Sequence, residues 1–320
     1  MPSDRMGEFE LIERIRARVG QDDSVLLGIG DDCAVIRPES GKDLVMTTDS
    51  IVAGRHFEDH WPPSDIGHLA LAVNLSDLAA MGARPRWALL SLTLPDSDPD
   101  WLDGFLDGFL TLASEHRMVL VGGNISSGPL NITVQLIGDA ETDRIIRRTG
   151  ARPGDIVAVT GTLGDAAGAL RLGESAPEFL VQRLHRPAPR IGAGSRLASW
   201  ARAMIDVSDG LIADLAHLLG PGLAARIDLD TLPASPALTR AFSDNHEQRR
   251  SLQATGGNDY ELLVILDDHD FEAAKASLDE LDLALTRIGK IESGQGIQCR
   301  RTDGTTLEFN HGGWDHFHSS

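Results

Sequence analysis

Apolar positions recur along the chain at two spacings, and the elements they predict do not alternate in any simple repeat. Glu8 to Val19 carries its apolar residues at helical spacing, and residues 20–36 (GQDDSVLLGIGDDCAVI) then interleave turn residues with short β-type runs. DLVMTT at 43–48 predicts a strand ending at Asp49, and Ile66 to Met81 a largely apolar helix stopped by Gly82 and Pro85. Trp87 to Leu94 alternates as a strand, and Trp101 to His116 is helical. Met118 to Val121 and Asn131 to Gly138 predict strands around a Gly-Gly turn. The turn-rich TGARPGD at 149–155 marks a boundary, dividing the chain into residues 1–150 and 151–320. Beyond it Ile156 to Thr160 reads as a strand, Asp165 to Leu172 as a helix, and HRPAPR at 185–190 as a Pro-rich linker. Helices and strands intermix to the end without a clean βαβ series, which predicts an α+β class.

Composition narrows the function. The 320 residues are 42% apolar and 24% charged, enough for two ordinary domains with their own cores. Apolar runs such as Leu69 to Leu75 fall far short of the roughly 20 residues of a membrane span, and the start of the chain has no apolar signal core, so a cytoplasmic location is expected. Two cysteines, Cys33 and Cys299, form no CxxC or Cys/His pattern, which argues against structural zinc and a disulfide framework. A net charge of −19 argues against nucleic-acid and membrane partners. If the ligands are phosphates, divalent cations must offset the acid.

The aspartates are unevenly placed. Asp31 and Asp32 follow a glycine turn, Asp49 lies in TTDS, and Asp206 and Asp209 flank Ser208 in DVSDG. Asp77, in an otherwise apolar helix, shares a stripe with Asn74 at about 100° per residue. No Lys or Arg occurs between Arg55 and Arg84 to pair with it locally, and a buried lone carboxylate costs several kcal/mol. Mg²⁺ takes one or two carboxylates and completes its octahedral shell with water and phosphate, so five or more aspartates suit several ions on a polyphosphate. Ser208 and Asp209 also suit a plain helix cap before Leu211 to Leu219; the alternative is that Ser208 and backbone N–H groups face phosphate oxygens. The chain has no G-x-x-x-x-G-K-[ST] loop, and GTLGDAAG at 161–168 lacks a lysine, so it reads as a strand-to-helix turn.

Together these segments resemble the thiamine-monophosphate kinases, within the superfamily of aminoimidazole ribonucleotide synthetase. GEFELI, GIGDDCAV, TTDSIVAGRHF, NLSDLAAMGARP, LVGGNISSGPL, DVSDGLIADL, GGNDYELL and GWDHF occur in family order from residue 7 to residue 317. The resemblance implies a two-domain α+β fold whose N-terminal domains (1–150) bind ATP and Mg²⁺ and pair into a β-barrel across a homodimer. The C-terminal domain (151–320) would complete the nucleotide and substrate sites. It implies ATP-dependent phosphorylation of thiamine monophosphate to the diphosphate by in-line transfer, with several Mg²⁺ ions and no covalent nucleophile. By position, Asp32, Thr47, Thr48, Asp49, Asp77, Asn124, Asp206 and Asp209 match its metal ligands. Gly123, Asn124, Arg148 and Ser208 match ATP contacts, and His56, Glu261 and Trp314 match substrate contacts. Trp314 offers a flat face to a cationic thiazolium.

Two positions depart from the family pattern. GGNI stands where GGDT is usual, so Asn124 replaces a metal-binding aspartate, and GGNDYEL carries Asn258 where an acid is usual. Weaker metal binding at Asn124 is the expectation; a catalytically silent nucleotide- or thiamine-phosphate-binding protein of the same fold is the alternative. Among related enzymes, selenophosphate synthetase would carry a reactive cysteine or selenocysteine near its start, whereas the first 32 residues have none. The hydrogenase-maturation relative ends in cysteine, whereas this chain ends in HFHSS.

Overall fold

The computed structural model describes residues 6–307. They divide into two compact units, Met1–Leu78 with Ala83–Asp143 and Ala79–Gly82 with Arg144–Ser320.

Unit 1 opens with α1 (Glu8–Arg16), a short ribbon of β1 (Val25–Leu27) and β2 (Val35–Ile36), and the long strand β3 (Asp43–Val52). There follow α2 (Pro63–Ala80), β4 (Arg84–Leu94), α3 (Pro99–Glu115), β5 (Val119–Ser127) and β6 (Asn131–Ala140). The last four strands form a sheet in the order β3-β6-β4-β5, with β4 and β5 parallel and the other pairs antiparallel. Its inner face is built by period-two alternation: Ile132, Val134 and Leu136 on β6, and Leu90, Leu92 and Leu94 on β4, are buried. Gly67 of α2 and Gly108 of α3 let these helices touch backbone to backbone; a Cβ on Gly108 would lie 1.7 Å from the Ser64 carbonyl oxygen.

Two boundaries differ from the sequence reading. Gly82 ends α2, with φ at 69°, but Pro85 stands inside β4 at a register shift between Pro85 and Trp87, where a missing ladder donor is tolerated. Gly122 and Gly123 do not turn the chain; they lie within β5, paired to Leu89 and Leu90.

Unit 2 contains β7 (Ile156–Thr160), α4 (Asp165–Leu172), α5 (Glu178–His185), α6 (Ile191–Leu197), β8 (Ala201–Asp206), α7 (Leu211–Leu218) and β9 (Leu223–Asp228). It continues with α8 (Pro236–Ala241), α9 (His246–Thr255), β10 (Leu262–Leu266), α10 (Phe271–Ala276), β11 (Leu285–Ser293), β12 (Gly296–Arg300) and β13 (Thr306–Leu307). Seven strands in the order β13-β12-β9-β11-β7-β10-β8 make a sheet that is antiparallel except at β12–β9. Both faces are covered, so β7 and β10 read as unbroken apolar runs. Val157, Val159, Leu263 and Ile265 face a core shared with α7, while Ile156, Ala158, Leu262 and Val264 face one shared with α6 and α10. Intermixed helices and a largely antiparallel sheet make the chain α+β. HRPAPR is a linker as read, joining α5 to α6 within unit 2. Among the described residues no helix is long and apolar enough to cross a membrane.

Candidate active site

In unit 1 the strand β3 runs three residues past Asp49, so Asp49 stands in mid-strand. β3 is an edge strand, and alternate N–H groups of an edge have no strand partner. That of Asp49 donates instead to Asn74 Oδ1 at 2.9 Å, while Asn74 Nδ2 donates to the Ala70 carbonyl at 3.1 Å. Asn74 is fully buried and thereby fixes α2 against β3. Three residues along α2, Asp77 accepts the Thr47 hydroxyl at 2.5 Å. The hydroxyl of the exposed Thr48 donates to the Val134 carbonyl on β6 at 3.2 Å. Thr47, Asp49 and Asp77 are thus gathered where β3 crosses α2. At the end of β3 the ring of His56 folds back, its Nδ1 accepting the Val52 N–H at 3.0 Å. That bond assigns the neutral proton to Nε2.

Asp32, Gly123 and Asn124 line a second feature of unit 1, a cavity of about 1020 Å³ that also meets Arg16 and Cys33. Gly123 is required by its backbone: φ is 155°, and a Cβ there would lie 1.8 Å from the Leu90 carbonyl oxygen. The exposed Asn124 follows it at the register of Ser91.

In unit 2, Asp206 ends β8 buried, and Ser208 and Asp209 follow in the turn into α7. Neither side chain caps the helix. Its N-cap is Gly210, with φ at 119° and no side-chain cap bond. The acceptor is Asp214, whose Oδ2 takes the N–H groups of Ser208, Asp209 and Gly210 at 3.1, 3.1 and 3.0 Å. Those N–H groups therefore serve a carboxylate of the chain itself and do not face a phosphate. Burial, then the charges of Asp206 and Asp209, push the Asp214 carboxyl up to about 7. The signal missed in the sequence is an acid in the first turn of an apolar helix. Arg147 and Arg148 are exposed, and the Arg147 carbonyl accepts the Met204 N–H of β8 at 3.1 Å.

The GGNDYE loop packs on this turn. Asn258 N–H donates to the Ser208 carbonyl, Tyr260 N–H to the Val207 carbonyl, and Val207 N–H to the Glu261 carbonyl, each at 2.8 Å. Asn258 and Tyr260 both hold positive φ, 64° and 51°. The Glu261 side chain has no solvent exposure. Its carboxylate accepts Thr160 Oγ1 at 2.7 Å, Arg183 Nη2 at 2.9 Å, and Arg190 Nε and Nη2 at 2.7 and 2.5 Å. The sequence reading placed Glu261 on the substrate; its oxygens here meet four donors from within the protein. Trp314 lies outside the described residues.

The donors suit Mg²⁺ in kind, since they are carboxylate, hydroxyl and amide oxygens with no thiolate among them. Burial raises the Asp214 carboxyl first, and the charges of Asp206 and Asp209 add to it; a cation beside these two would relieve that second cause. Among the described residues no three His, Cys, Asp or Glu side chains form a ready cage, so an ion here would draw much of its shell from water and phosphate.

Residues 30–140 match the N-terminal domain of AIR synthase related protein and residues 152–301 its C-terminal domain. Thiamine-monophosphate kinase of Salmonella typhimurium (strain LT2) is 41% identical over 322 residues, spanning 97% of this chain and 98% of the relative. The chain belongs to the thiamine-monophosphate kinase family. Its fold is correspondingly close to the crystal structure of thiamine-monophosphate kinase from Stenotrophomonas maltophilia K279a, at TM-score 0.86 and 44% identity over 94% of this chain and 98% of that one. It is also similar to AaThiL complexed with AMPPCP and TMP, at TM-score 0.76 and 35% identity over 97% of each chain. Within this family the two-domain α+β architecture is shared from end to end, and the rival enzymes of the superfamily are set aside.

Proposed function

We propose that this chain transfers the γ-phosphoryl group of ATP to the phosphate of thiamine monophosphate, giving ADP and thiamine diphosphate. What carries the reading is full-length likeness to thiamine-monophosphate kinases, one of them solved with AMPPCP and TMP, in a chain that keeps acidic side chains along β3, α2 and the β8–α7 turn. The attacking atom is a phosphate oxygen, already anionic, so no strong general base is needed; it bonds to the γ-phosphorus as the bond to the β–γ bridging oxygen breaks. Alignment of the two phosphates is then the main task of the protein.

In this reading Asp32, Thr47, Thr48, Asp49, Asp77, Asn124, Asp206 and Asp209 would hold Mg²⁺. Bound there, Mg²⁺ would neutralise charge on the donor and acceptor phosphates. Gly123 gives the nucleotide access to the β5 backbone, Asn124 and Ser208 offer polar side chains to phosphate oxygens, and Arg148 supplies a guanidinium. His56 and Trp314 would contact the thiamine end; Glu261, matched to that end by the resemblance, is enclosed by Thr160, Arg183 and Arg190 and braces the loop before it. Residues 1–150 would then be the ATP- and Mg²⁺-binding part and residues 151–320 would complete the nucleotide and substrate sites. Two copies pairing N-terminal sheets into a barrel fit the edge strand β3, whose Met46 is exposed. A cytoplasmic setting suits an ATP-consuming reaction.

The test is incubation with ATP, Mg²⁺ and thiamine monophosphate, with chromatography for the diphosphate. Formation of thiamine diphosphate with one ADP per turnover is expected. Binding of both ligands without product would overturn the reading in favour of a silent binding protein, which the loss of a charge at Asn124 would explain.

A further inference from the structure

Outside the acidic clusters, the least expected chemistry in unit 2 is the clamp on Glu261. Two prolines, Pro187 and Pro189, stiffen HRPAPR and deliver Arg190 to the start of α6. Arg190 grips Glu261 with a two-bond fork, and Arg183 of α5 approaches from a second direction, also donating to the Asp259 carbonyl at 3.3 Å. Thr160 joins the ring from β7, giving its hydroxyl to Glu261 while accepting the Leu262 N–H at 2.8 Å. Gly161 stands aside for the carboxylate: a Cβ there would lie 2.2 Å from Glu261 Oε1.

A buried ion pair is seldom the most stable filling for a core; apolar residues of similar volume commonly do as well. Its position says what it is for. Glu261 is bonded through its own backbone to Val207, the residue between Asp206 and Ser208. The loop before it carries two non-glycine residues at positive φ, Asn258 and Tyr260, a strained conformation that persists only where the surroundings over-determine it. Gly257 of that loop is pressed so close that a Cβ would lie 2.4 Å from the Ser208 carbonyl oxygen. The strained loop is held against the Asp206–Gly210 turn by its backbone bonds, by the Asp259 carboxylate on the Gly164 N–H at 2.8 Å, and by the two arginines through Glu261 and the Asp259 carbonyl.

We propose that Arg190 and Arg183 are positioning residues for phosphoryl transfer: by clamping Glu261 they set the Gly256–Tyr260 loop and, through its backbone bonds, the placement of Asp206, Ser208 and Asp209. This rests on the proposed role of that turn in holding metal and nucleotide. The assignment predicts a specific pattern. Loosening the clamp weakens metal–nucleotide binding and turnover while the affinity for thiamine monophosphate stays nearly unchanged.

The test compares Arg190→Gln and Arg190→Lys with Asp206→Asn in the full chain. Mn²⁺ is titrated by electron paramagnetic resonance in the presence of a non-hydrolysable ATP analogue, alongside steady-state kinetics and thermal unfolding without ligands. Arg190→Gln is expected to weaken Mn²⁺ binding and lower kcat by roughly 10- to 100-fold, the range seen when groups behind metal ligands are removed. Its KM for thiamine monophosphate should stay within about twofold. Arg190→Lys, which keeps the charge and loses the fork, should recover part of both, and decides the matter if the Gln variant does not fold. Wild-type Mn²⁺ affinity and kcat in folded Arg190→Gln, with only a lower Tm, would reduce the clamp to a structural ion pair. A rise in KM for thiamine monophosphate alone would likewise overturn the proposal. If Asp206→Asn abolishes Mn²⁺ binding while Arg190→Gln leaves it intact, positioning alone fails. If Asp206→Asn binds Mn²⁺ as wild type does, the reading of the turn itself is wrong.

Discussion

The hydroxyl of Thr47, on β3, donates to the carboxylate of Asp77, on α2, across 2.5 Å. The bond aims a half-buried carboxylate from an apolar helix at the strand bearing Asp49, whose own N–H is held by Asn74. Two oxygens proposed as metal ligands are therefore oriented by one another before any cation arrives.

Thr47→Val removes the donor and keeps the shape. It should raise the half-saturating Mg²⁺ concentration roughly tenfold, as loss of a group orienting a ligand does, with the larger loss in Asp77→Asn. Initial rates across a Mg²⁺ titration check this, and a Thr47→Val enzyme with wild-type Mg²⁺ dependence would dissociate the pair from metal binding.

Asn124 lies on β5 beside Ser91, exposed and lining the same cavity as Asp32. Asn124→Asp adds one negative charge there without adding bulk. Divalent-ion affinity rises with ligand charge, so the half-saturating Mg²⁺ concentration should fall several-fold. An unchanged value in the same titration would show that position 124 is remote from the ions.

Much of the framework was readable because local and tertiary preferences agree. Ile156–Thr160 and Asp165–Leu172 have the ends their sequence predicts, since a β-branched run flanked by glycine turns has few other uses. The motifs from GIGDD to GGNDYEL carried the family and, with it, the reaction class. Three things were not legible. Gly122–Gly123 reads as a turn, but the pair lies in β5, and Gly123 is glycine because the strand passes so close to Leu90 that no Cβ fits there. DVSDG suits either a helix cap or a phosphate-facing turn, and neither reading singles out Asp214, the acid four residues past Gly210 that takes up the turn's N–H groups. HRPAPR reads as a linker and is one, but nothing local says that Arg190 meets Glu261, 71 positions later.

The two thiols should behave oppositely. Cys33 is exposed in the loop after Asp32, whereas Cys299 is buried in β12 and burial pushes its thiol up to about 11. A disulfide-exchange reagent at pH 8 should label Cys33 quickly in the native protein and Cys299 only after unfolding. Because Cys33 lines the cavity with Asp32 and Asn124, a non-hydrolysable ATP analogue with Mg²⁺ should slow its labelling. Equal rates with and without the nucleotide would place the nucleotide elsewhere.

Acid should loosen the end of the seven-stranded sheet through Asp230. The Thr302 N–H and hydroxyl, at 2.9 and 2.8 Å, and then Arg250 hold its carboxyl below the usual carboxylate range. A carboxyl with a depressed folded-state pKa contributes stability that is present above its unfolded value of 3.8 and lost as pH falls through the lower folded value. Asp230→Asn should therefore lower Tm at pH 7, with the gap to wild type narrowing as pH falls below 3.8. A gap independent of pH would assign the effect to shape and not to charge.

Gly161→Ala tests the Glu261 clamp from the side that carries no charge. Its φ of 57° costs an L-residue about 1–2 kcal/mol, and the new methyl would overlap the Glu261 carboxylate, whose Oε1 lies 2.2 Å from the Cβ position. That carboxylate has little room to retreat, being held by Thr160, Arg183 and Arg190. Displacing it breaks a buried pair, a loss of about 3–5 kcal/mol when one partner goes unmet. Gly161→Ala should unfold at markedly lower urea than wild type with an unchanged m-value. Gly154→Ala, also at positive φ (98°) but with nothing near its Cβ, should lose only the backbone cost. Comparable losses in the two variants would mean that Glu261 yields freely, and that the two arginines do not fix it in place.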